Sequence, residues 1–197
     1  MRILLPICQL SLLVLWALPS TAAMDEPLAL SLYAGAFDVG DFEYDVGEVG
    51  LEVRGAPRWR GRLPERLSLR PMAGAAGTTD GAAWIYAGLR ADWQAATRWV
   101  VSPSFGVSLF EEGDGKELGG PVEFRSAIEA ARRVGDRLHL GLAFYHLSNA
   151  DLYDDNPGSN SLVLTLTTPL GRSEAAGLSA GRWARTAGRD AGRFSRR

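Results

Sequence analysis

Cysteine is almost absent from this chain of 197 residues. The single one, Cys8, lies in an apolar amino-terminal stretch that we expect to be removed from the mature protein. A mature chain without cysteine has neither a disulfide framework nor a thiolate metal site. Noncovalent contacts alone must therefore stabilise the fold.

Long apolar runs are also lacking after the amino terminus. No later stretch approaches the roughly 18 consecutive apolar residues that mark a helical membrane span, which excludes a membrane protein built from helices. A membrane β-barrel stays compatible with this absence, because its strands alternate apolar and polar residues. With 46% hydrophobic residues and a net charge of -2, the composition suits one folded domain.

The amino terminus has the three parts of a secretory signal. Met1 and Arg2 give a positive start, an apolar run follows over residues 3–18, and small residues precede Asp25. A single membrane-spanning helix is the alternative, but the run is shorter than the ~20 residues that a span needs. The pattern predicts that residues 1–23 are a signal peptide and that the chain is exported.

Alternation with a period of two dominates residues 24–170. Apolar residues occupy every second position, and small, polar or charged residues lie between them, as in strands with one apolar face. The clearest apolar series are Val101, Phe105, Val107 and Leu109; Val122, Phe124 and Ile128; Leu138, Leu140, Leu142 and Phe144; and Leu162, Leu164 and Leu166. Weaker series raise the number to about eight. The predicted fold class is all-β, an eight-stranded antiparallel transmembrane β-barrel over residues 24–170.

Two further patterns favour a membrane barrel over a soluble periplasmic barrel with an apolar interior. Charges of both signs share one face of a predicted strand and could pair inside a narrow lumen: Glu123, Arg125, Glu129 and Arg133. Aromatic residues near strand ends are expected at the two membrane interfaces: Trp84, Trp93, Trp99 and Tyr145. In a membrane barrel the apolar face of each strand points outward to lipid.

The carboxy-terminal residues 171–197 differ from the rest in being basic and rich in alanine, glycine and arginine. Such a composition favours a disordered, solvated tail. An arm that contacts anionic lipid headgroups is the alternative. Outer-membrane barrels commonly end on an aromatic residue, whereas this chain ends at Arg197.

One of the two histidines lies two residues from a serine, in the string that runs from Phe144 to Ala150. On an extended strand His146 and Ser148 project from the same face, about 6 to 7 Å apart along the chain. A serine hydroxyl attacks an ester poorly until a neighbouring imidazole accepts its proton. The pair lies on the face predicted to meet lipid, where it could serve an amphipathic substrate; solvated interface residues are the alternative.

This stretch resembles the lipid A 3-O-deacylase family of outer-membrane enzymes. The similarity rests on the string His146-Leu147-Ser148-Asn149-Ala150 and on Asn156-Pro157-Gly158 downstream. It implies an eight-stranded barrel in the cell outer membrane that hydrolyses the ester at the 3-position of lipid A. It also implies that Ser148 is the nucleophile, His146 its general base and Asn149 a donor to the oxyanion, with no cofactor and no metal.

The sequence departs from the family where a glutamate is expected to orient the histidine, because residues 159–161 contain no acid. Asn160 could orient the imidazole through its amide, an aspartate of the preceding loop could replace the acid, or the enzyme could be impaired. The loop candidates are Asp151, Asp154 and Asp155.

The expected partners are lipid A or lipopolysaccharide as substrate and the membrane lipids, with no nucleic acid. The oligomeric state stays open, with a homodimer as one option. The alternative function is a non-catalytic outer-membrane barrel, namely an inactive relative, an adhesin or a scaffold.

Overall fold

Each alternating series forms one β-strand in the computed structural model, which describes residues 28–40, 46–57, 63–135 and 137–170. The strands are β1 (Ala29–Phe37), β2 (Val46–Arg54), β3 (Leu67–Thr78), β4 (Ala83–Ala96), β5 (Trp99–Glu111), β6 (Val122–Val134), β7 (Leu138–Ser148) and β8 (Ser159–Pro169). The expected signal peptide, residues 1–23, and the basic tail, residues 171–197, lie outside the described residues. Within those ranges, the chain forms no helix long and apolar enough to cross a membrane.

The strands close into a barrel. Each strand pairs antiparallel with its neighbours in chain order, and β8 pairs with β1 from Ala29 opposite Pro169 to Ala36 opposite Leu162. Closure removes the open edges at which a sheet would otherwise leave backbone groups unpaired in lipid. The predicted eight-stranded antiparallel barrel is confirmed.

Apolar side chains cover the outside of the barrel, whereas many of the side chains that point inward are polar. On β5, Phe105, Val107 and Leu109 are exposed, whereas Ser102 and Ser108 are buried. Leu164, at the middle of β8, is 69% exposed. A soluble protein rarely exposes so large a contiguous apolar surface. The predicted orientation of the apolar series is confirmed, and a soluble barrel with an apolar interior does not fit this arrangement.

A network of buried ion pairs occupies the middle of the lumen. Glu129 on β6 accepts from Arg54 on β2 at 2.6 Å and from Arg90 on β4 at 3.1 Å. Glu52 lies 2.8 Å from Arg54 and 3.2 Å from Arg90, and Asp92 lies 2.7 Å from Arg90. A buried charge is costly without a partner, so these contacts hold β2, β4 and β6 in one register.

Glu129 and Arg125, two of the lumen charges on β6, contact groups on other strands, whereas both carboxylate oxygens of Glu123 are buried without a hydrogen-bond partner among the described residues. The guanidinium of Arg125 lies over the rings of Tyr86 and Tyr145, 4.7 and 4.1 Å from their centroids. Contacts of this kind favour a cation over the face of an aromatic ring. Glu123 and Arg125 are fully or almost fully buried, which agrees with the expected polar lumen.

Two of the four aromatic residues expected at the membrane interfaces lie inside the barrel instead. Trp84 and Tyr145 are buried, and the Trp84 ring packs 5.6 Å from that of Phe37 and 5.9 Å from that of Phe110. These rings fill the lumen at the end where β1, β3, β5 and β7 finish, which we call the loop end. The expectation for Trp84 and Tyr145 was therefore wrong, because filling this end of the lumen requires large side chains.

The outward leucines should respond to charge according to whether they face lipid. We expect Leu164→Arg to impair assembly, because a cation near the middle of a lipid-facing strand costs ~2 to 4 kcal/mol. The matched control is Leu152→Arg, since Leu152 is 57% exposed but lies outside the strands. The measurement is the fraction of folded barrel on unboiled gels; equal folding of both variants would contradict the assignment of the outer face.

Candidate active site

A polar patch interrupts the apolar outer surface at the end of β7. His146 and Ser148 both point outward and are half-buried. In the sheet register His146 stands between Ser126 on β6 and Asn160 on β8, while Phe124 on β6 is opposite Ser148. Adjacent strands thus bring four polar side chains together on a surface that otherwise faces lipid.

The imidazole of His146 contacts Asn160. Its Nδ1 atom lies 3.0 Å from the Asn160 amide oxygen, Oδ1. An amide oxygen only accepts, so the hydrogen of this contact resides on Nδ1. The neutral imidazole then carries its lone pair on Nε2. This is the tautomer that can accept a proton from a hydroxyl on the outer surface.

The three aspartates proposed from sequence as alternatives to Asn160 lie elsewhere in the loop between β7 and β8. Asp151 accepts from Asn156 Nδ2 at 3.1 Å through its Oδ1 atom. Asp154 and Asp155 have exposed side chains. Of the candidates for orienting the histidine, Asn160 is the one that the structure brings to the ring.

The hydroxyl of Ser148 is turned toward the loop. It donates to Oδ1 of Asn156 at 3.0 Å, and the backbone N–H of Ala150 donates to it at 3.2 Å. Because His146 and Ser148 share a face, rotation about the Cα–Cβ bond of Ser148 can turn the hydroxyl toward the imidazole. Catalytic hydrogen bonds of this kind commonly tighten only when substrate binds.

Asn149 points into the barrel rather than toward Ser148. Its side chain is fully buried, and its Nδ2 atom donates to the backbone oxygens of Leu118 and Asp155, both at 2.8 Å. Its Oδ1 atom accepts from the N–H of Asp151 at 3.0 Å. Both amide hydrogens are thus engaged, so the expected role of Asn149 as oxyanion donor does not fit this arrangement. It fits an anchor that joins two loops.

Two residues of the Asn156-Pro157-Gly158 string, to which the sequence had assigned no role, contact the candidate pair. Asn156 accepts from Ser148 through the same Oδ1 atom that accepts from the N–H of Asn149 at 3.1 Å. Gly158 has a positive φ of 62°, and a Cβ there would lie 2.9 Å from Cε1 of His146. A side chain at Gly158 would therefore push against the imidazole. The motif itself was the available signal for both residues.

The loop between β5 and β6 packs closely against this site. A Cβ on Gly120 would lie 2.2 Å from the ring of Tyr153, and one on Gly119 would lie 1.9 Å from the backbone oxygen of Asp155. Leu118, beside them, is buried. The two loops thus form one packed unit, and Asn149 is its central hydrogen-bonding group.

No group of three or more histidine, cysteine, aspartate or glutamate side chains within the described ranges could hold a metal ion.

The barrel and its outward polar patch define a β-barrel of the outer membrane. Residues 49–169 match the family model described as "Lipid A 3-O-deacylase (PagL)", and this chain belongs to that family. The match extends from β2 to the end of β8 and includes the whole polar patch. It confirms the resemblance inferred from the sequence motif.

Solved structures agree with the fold. The crystal structure of the outer membrane enzyme PagL is 20% identical, with a TM-score of 0.58, over 72% of this chain and 99% of that one. A de novo designed transmembrane β-barrel is 10% identical, with a TM-score of 0.50, over 73% of this chain and 94% of the design. A comparison with curated protein sequences finds no match.

The anchor role of Asn149 predicts loosening of both loops when its amide is removed. Asn149→Ala leaves two backbone carbonyls without their donor, and each buried loss of this kind costs ~1 to 3 kcal/mol. We expect faster proteolytic cleavage within residues 149–158 in the folded barrel, whereas Asp154→Ala, an exposed change in the same loop, should cleave like wild type. Unchanged cleavage in Asn149→Ala would contradict the anchor role.

Proposed function

We propose that this chain is a serine esterase that hydrolyses the 3-O-linked acyl chain of lipid A in the outer membrane. The chemistry named for the family is removal of that acyl group. In this proposal Ser148 is the nucleophile, His146 is the general base and Asn160 orients the imidazole. The observation that carries it is the 3.0 Å contact between His146 Nδ1 and Asn160 Oδ1, on the lipid-facing side and two residues from Ser148.

The first half of the reaction forms an acyl-enzyme. Ser148 Oγ attacks the ester carbonyl carbon while Nε2 of His146 accepts the hydroxyl proton. The tetrahedral intermediate collapses as the imidazolium returns that proton to the departing sugar oxygen. The acyl chain is then esterified to Ser148, and the sugar leaves with a free hydroxyl group.

The second half releases the fatty acid. His146 accepts a proton from water, the water oxygen attacks the acyl carbonyl, and the proton passes to Ser148 Oγ as the ester bond breaks. The negative oxygen formed in each half requires donors, each worth ~3 kcal/mol when well placed. The donor beside Ser148 is the backbone N–H of Ala150, and this group replaces Asn149 as the proposed donor.

The position of the patch suits a substrate that stays in the membrane. At the loop end, strands are joined over residues 79–82, 112–121 and 149–158, whereas β4 and β5 are joined at the opposite end by residues 97–98 alone. In outer-membrane barrels the longer loops face outward from the cell. The patch then lies at the level of the outer leaflet, where an acylated sugar can reach it without leaving the lipid.

A non-catalytic barrel is the second candidate, and one observation favours it. Asn160 supplies an amide where a carboxylate would stabilise the imidazolium formed during attack. Loss of an orienting carboxylate reduces turnover by ~10⁴ in a serine protease. The proposed enzyme is accordingly a slow one, and the two candidates differ in whether any turnover depends on Ser148.

The catalytic pair should behave as a unit. We expect Ser148→Ala and His146→Ala each to abolish loss of the 3-linked acyl chain, and the double variant to match either single one, because the two groups act in the same step. The measurement is mass analysis of lipid A from cells that produce each variant, with gel shift as the control for folding. Wild-type levels of deacylation in Ser148→Ala would refute the mechanism.

Restoring a carboxylate at the imidazole should raise turnover. We expect Asn160→Glu to increase the rate of deacylation and Asn160→Ala to decrease it, since only the carboxylate stabilises the imidazolium. The matched control is Asn160→Gln, which has the length of a glutamate side chain but carries no charge. No deacylation in wild type or Asn160→Glu would favour the non-catalytic barrel.

A further inference from the structure

Exposed arginines and tryptophans lie at the end of the barrel opposite the loop end, which we call the turn end. Residues 97–98 join β4 to β5 there. Trp93 on β4 and Trp99 on β5 point outward and are 45% and 46% exposed. Arg98, in the turn, and Arg132, near the end of β6, are exposed as well. The turn end therefore presents both cations and indole rings to the surroundings of the barrel.

Strand register brings three of these side chains together. Arg132 is directly opposite Trp99 on β5 and Leu140 on β7. Residues so placed have their Cβ atoms ~5 Å apart. The backbone oxygen of Arg98 accepts from the N–H of Arg133 at 2.8 Å, which holds the turn against the end of β6. Arg98, Trp99 and Arg132 thus form one cluster, which we call the basic rim.

The two guanidinium groups of the basic rim are not neutralised by neighbouring carboxylates. Within the described ranges, neither Arg98 nor Arg132 forms an ion pair. Asp92, on the neighbouring β4, pairs with Arg70 and Arg90 inside the lumen. The basic rim thus keeps two positive charges on the outer surface.

The basic rim is far from the candidate active site. Leu140 lies near the start of β7 and Ser148 at its end. At ~3.3 Å per residue the two are roughly 26 Å apart along the strand. Because the longer loops face outward from the cell, the turn end lies in the periplasmic leaflet of the outer membrane, which consists of phospholipids. The basic rim is therefore at the depth of phospholipid headgroups.

The exposed charges of the loop end have the opposite sign. The loops over residues 112–121 and 149–158 expose six carboxylates: Glu112, Asp114, Glu117, Asp151, Asp154 and Asp155. Lys116, between two of them, is paired with Asp38 at 2.8 Å. Positive charge on the outer surface is thus concentrated at the turn end.

We propose that the basic rim binds the headgroup of an anionic phospholipid, such as phosphatidylglycerol, in the periplasmic leaflet. The guanidinium groups of Arg98 and Arg132 donate to the phosphate oxygens, which match the planar fork of an arginine. The indole of Trp99 lies at the boundary between headgroup and hydrocarbon, because its ring is apolar and its N–H donates. A zwitterionic headgroup binds less well, since its own ammonium group offsets the attraction. The basic rim therefore selects a headgroup with net negative charge.

The test measures binding of phosphatidylglycerol and of phosphatidylcholine to the folded barrel in nonionic detergent by native mass spectrometry. We expect the double variant Arg98→Gln with Arg132→Gln to bind phosphatidylglycerol about tenfold more weakly, because each arginine near an anionic headgroup contributes several-fold. Its binding of phosphatidylcholine should stay as in wild type. The matched control is Lys116→Gln, which removes a positive charge from the loop end and should bind both lipids like wild type. The basic tail is present in every variant, so its contribution is common to all.

Equal binding of phosphatidylglycerol by wild type and the double variant would overturn the proposal, as would an equal loss of both lipids. If the double variant shows no folded shift on unboiled gels, Arg98→Gln and Arg132→Gln are measured singly. Each should then weaken binding of phosphatidylglycerol several-fold, and no loss in either would overturn the proposal. Purified lipopolysaccharide is the third ligand. If it depends on the basic rim more strongly than phosphatidylglycerol does, the phospholipid assignment is overturned.

Discussion

The ion pairs among Glu129, Arg54 and Arg90 are the interaction on which the rest of the barrel depends. A closed barrel of eight strands has an interior just wide enough to be filled by side chains. A charge in so narrow an interior is costly unless another strand supplies its partner, as Arg54 and Arg90 do for Glu129. Glu129 also accepts from the hydroxyl of Thr165 on β8 at 3.1 Å. The network thereby ties β8, which carries Asn160, to β2, β4 and β6.

Register connects this interior network to the outer surface. Because side chains alternate along a strand, a slip of one residue would exchange every inward group for an outward one. Glu129 and Arg125 point inward on β6, and Ser126 points outward between Arg125 and the next inward residue. The same pairing sets His146 against Ser126 and Asn160. The buried charges therefore hold the candidate site on the lipid-facing side.

Periodicity made the strands, their faces and the outward His146 and Ser148 predictable, because these features repeat locally along the chain. Contacts between loops do not repeat. Asn149 bonds to Leu118, which lies 31 residues earlier, and no local pattern signals that contact. The alternation of side chains along β4 places Trp84 on the same face as Tyr86, and both point into the barrel. The position of Trp84 near a strand end nevertheless suggested a membrane interface. Asn160 and three aspartates were all candidates for contacting the imidazole of His146. Only the register between β7 and β8, which sets His146 opposite Asn160, distinguishes them.

An amide beside the imidazole has a physical advantage on this surface. A carboxylate that faces lipid loses much of its hydration, whereas a neutral amide costs less to bury. Asn160 fixes the imidazole tautomer as a carboxylate would, but it contributes no full charge when His146 becomes protonated. The exposed carboxylates of Asp151, Asp154 and Asp155 add negative potential nearby, although solvent and salt screen exposed charges. In the proposed mechanism, the site therefore loses electrostatic stabilisation of the imidazolium and gains compatibility with the membrane, and turnover would depend chiefly on the orientation of the imidazole.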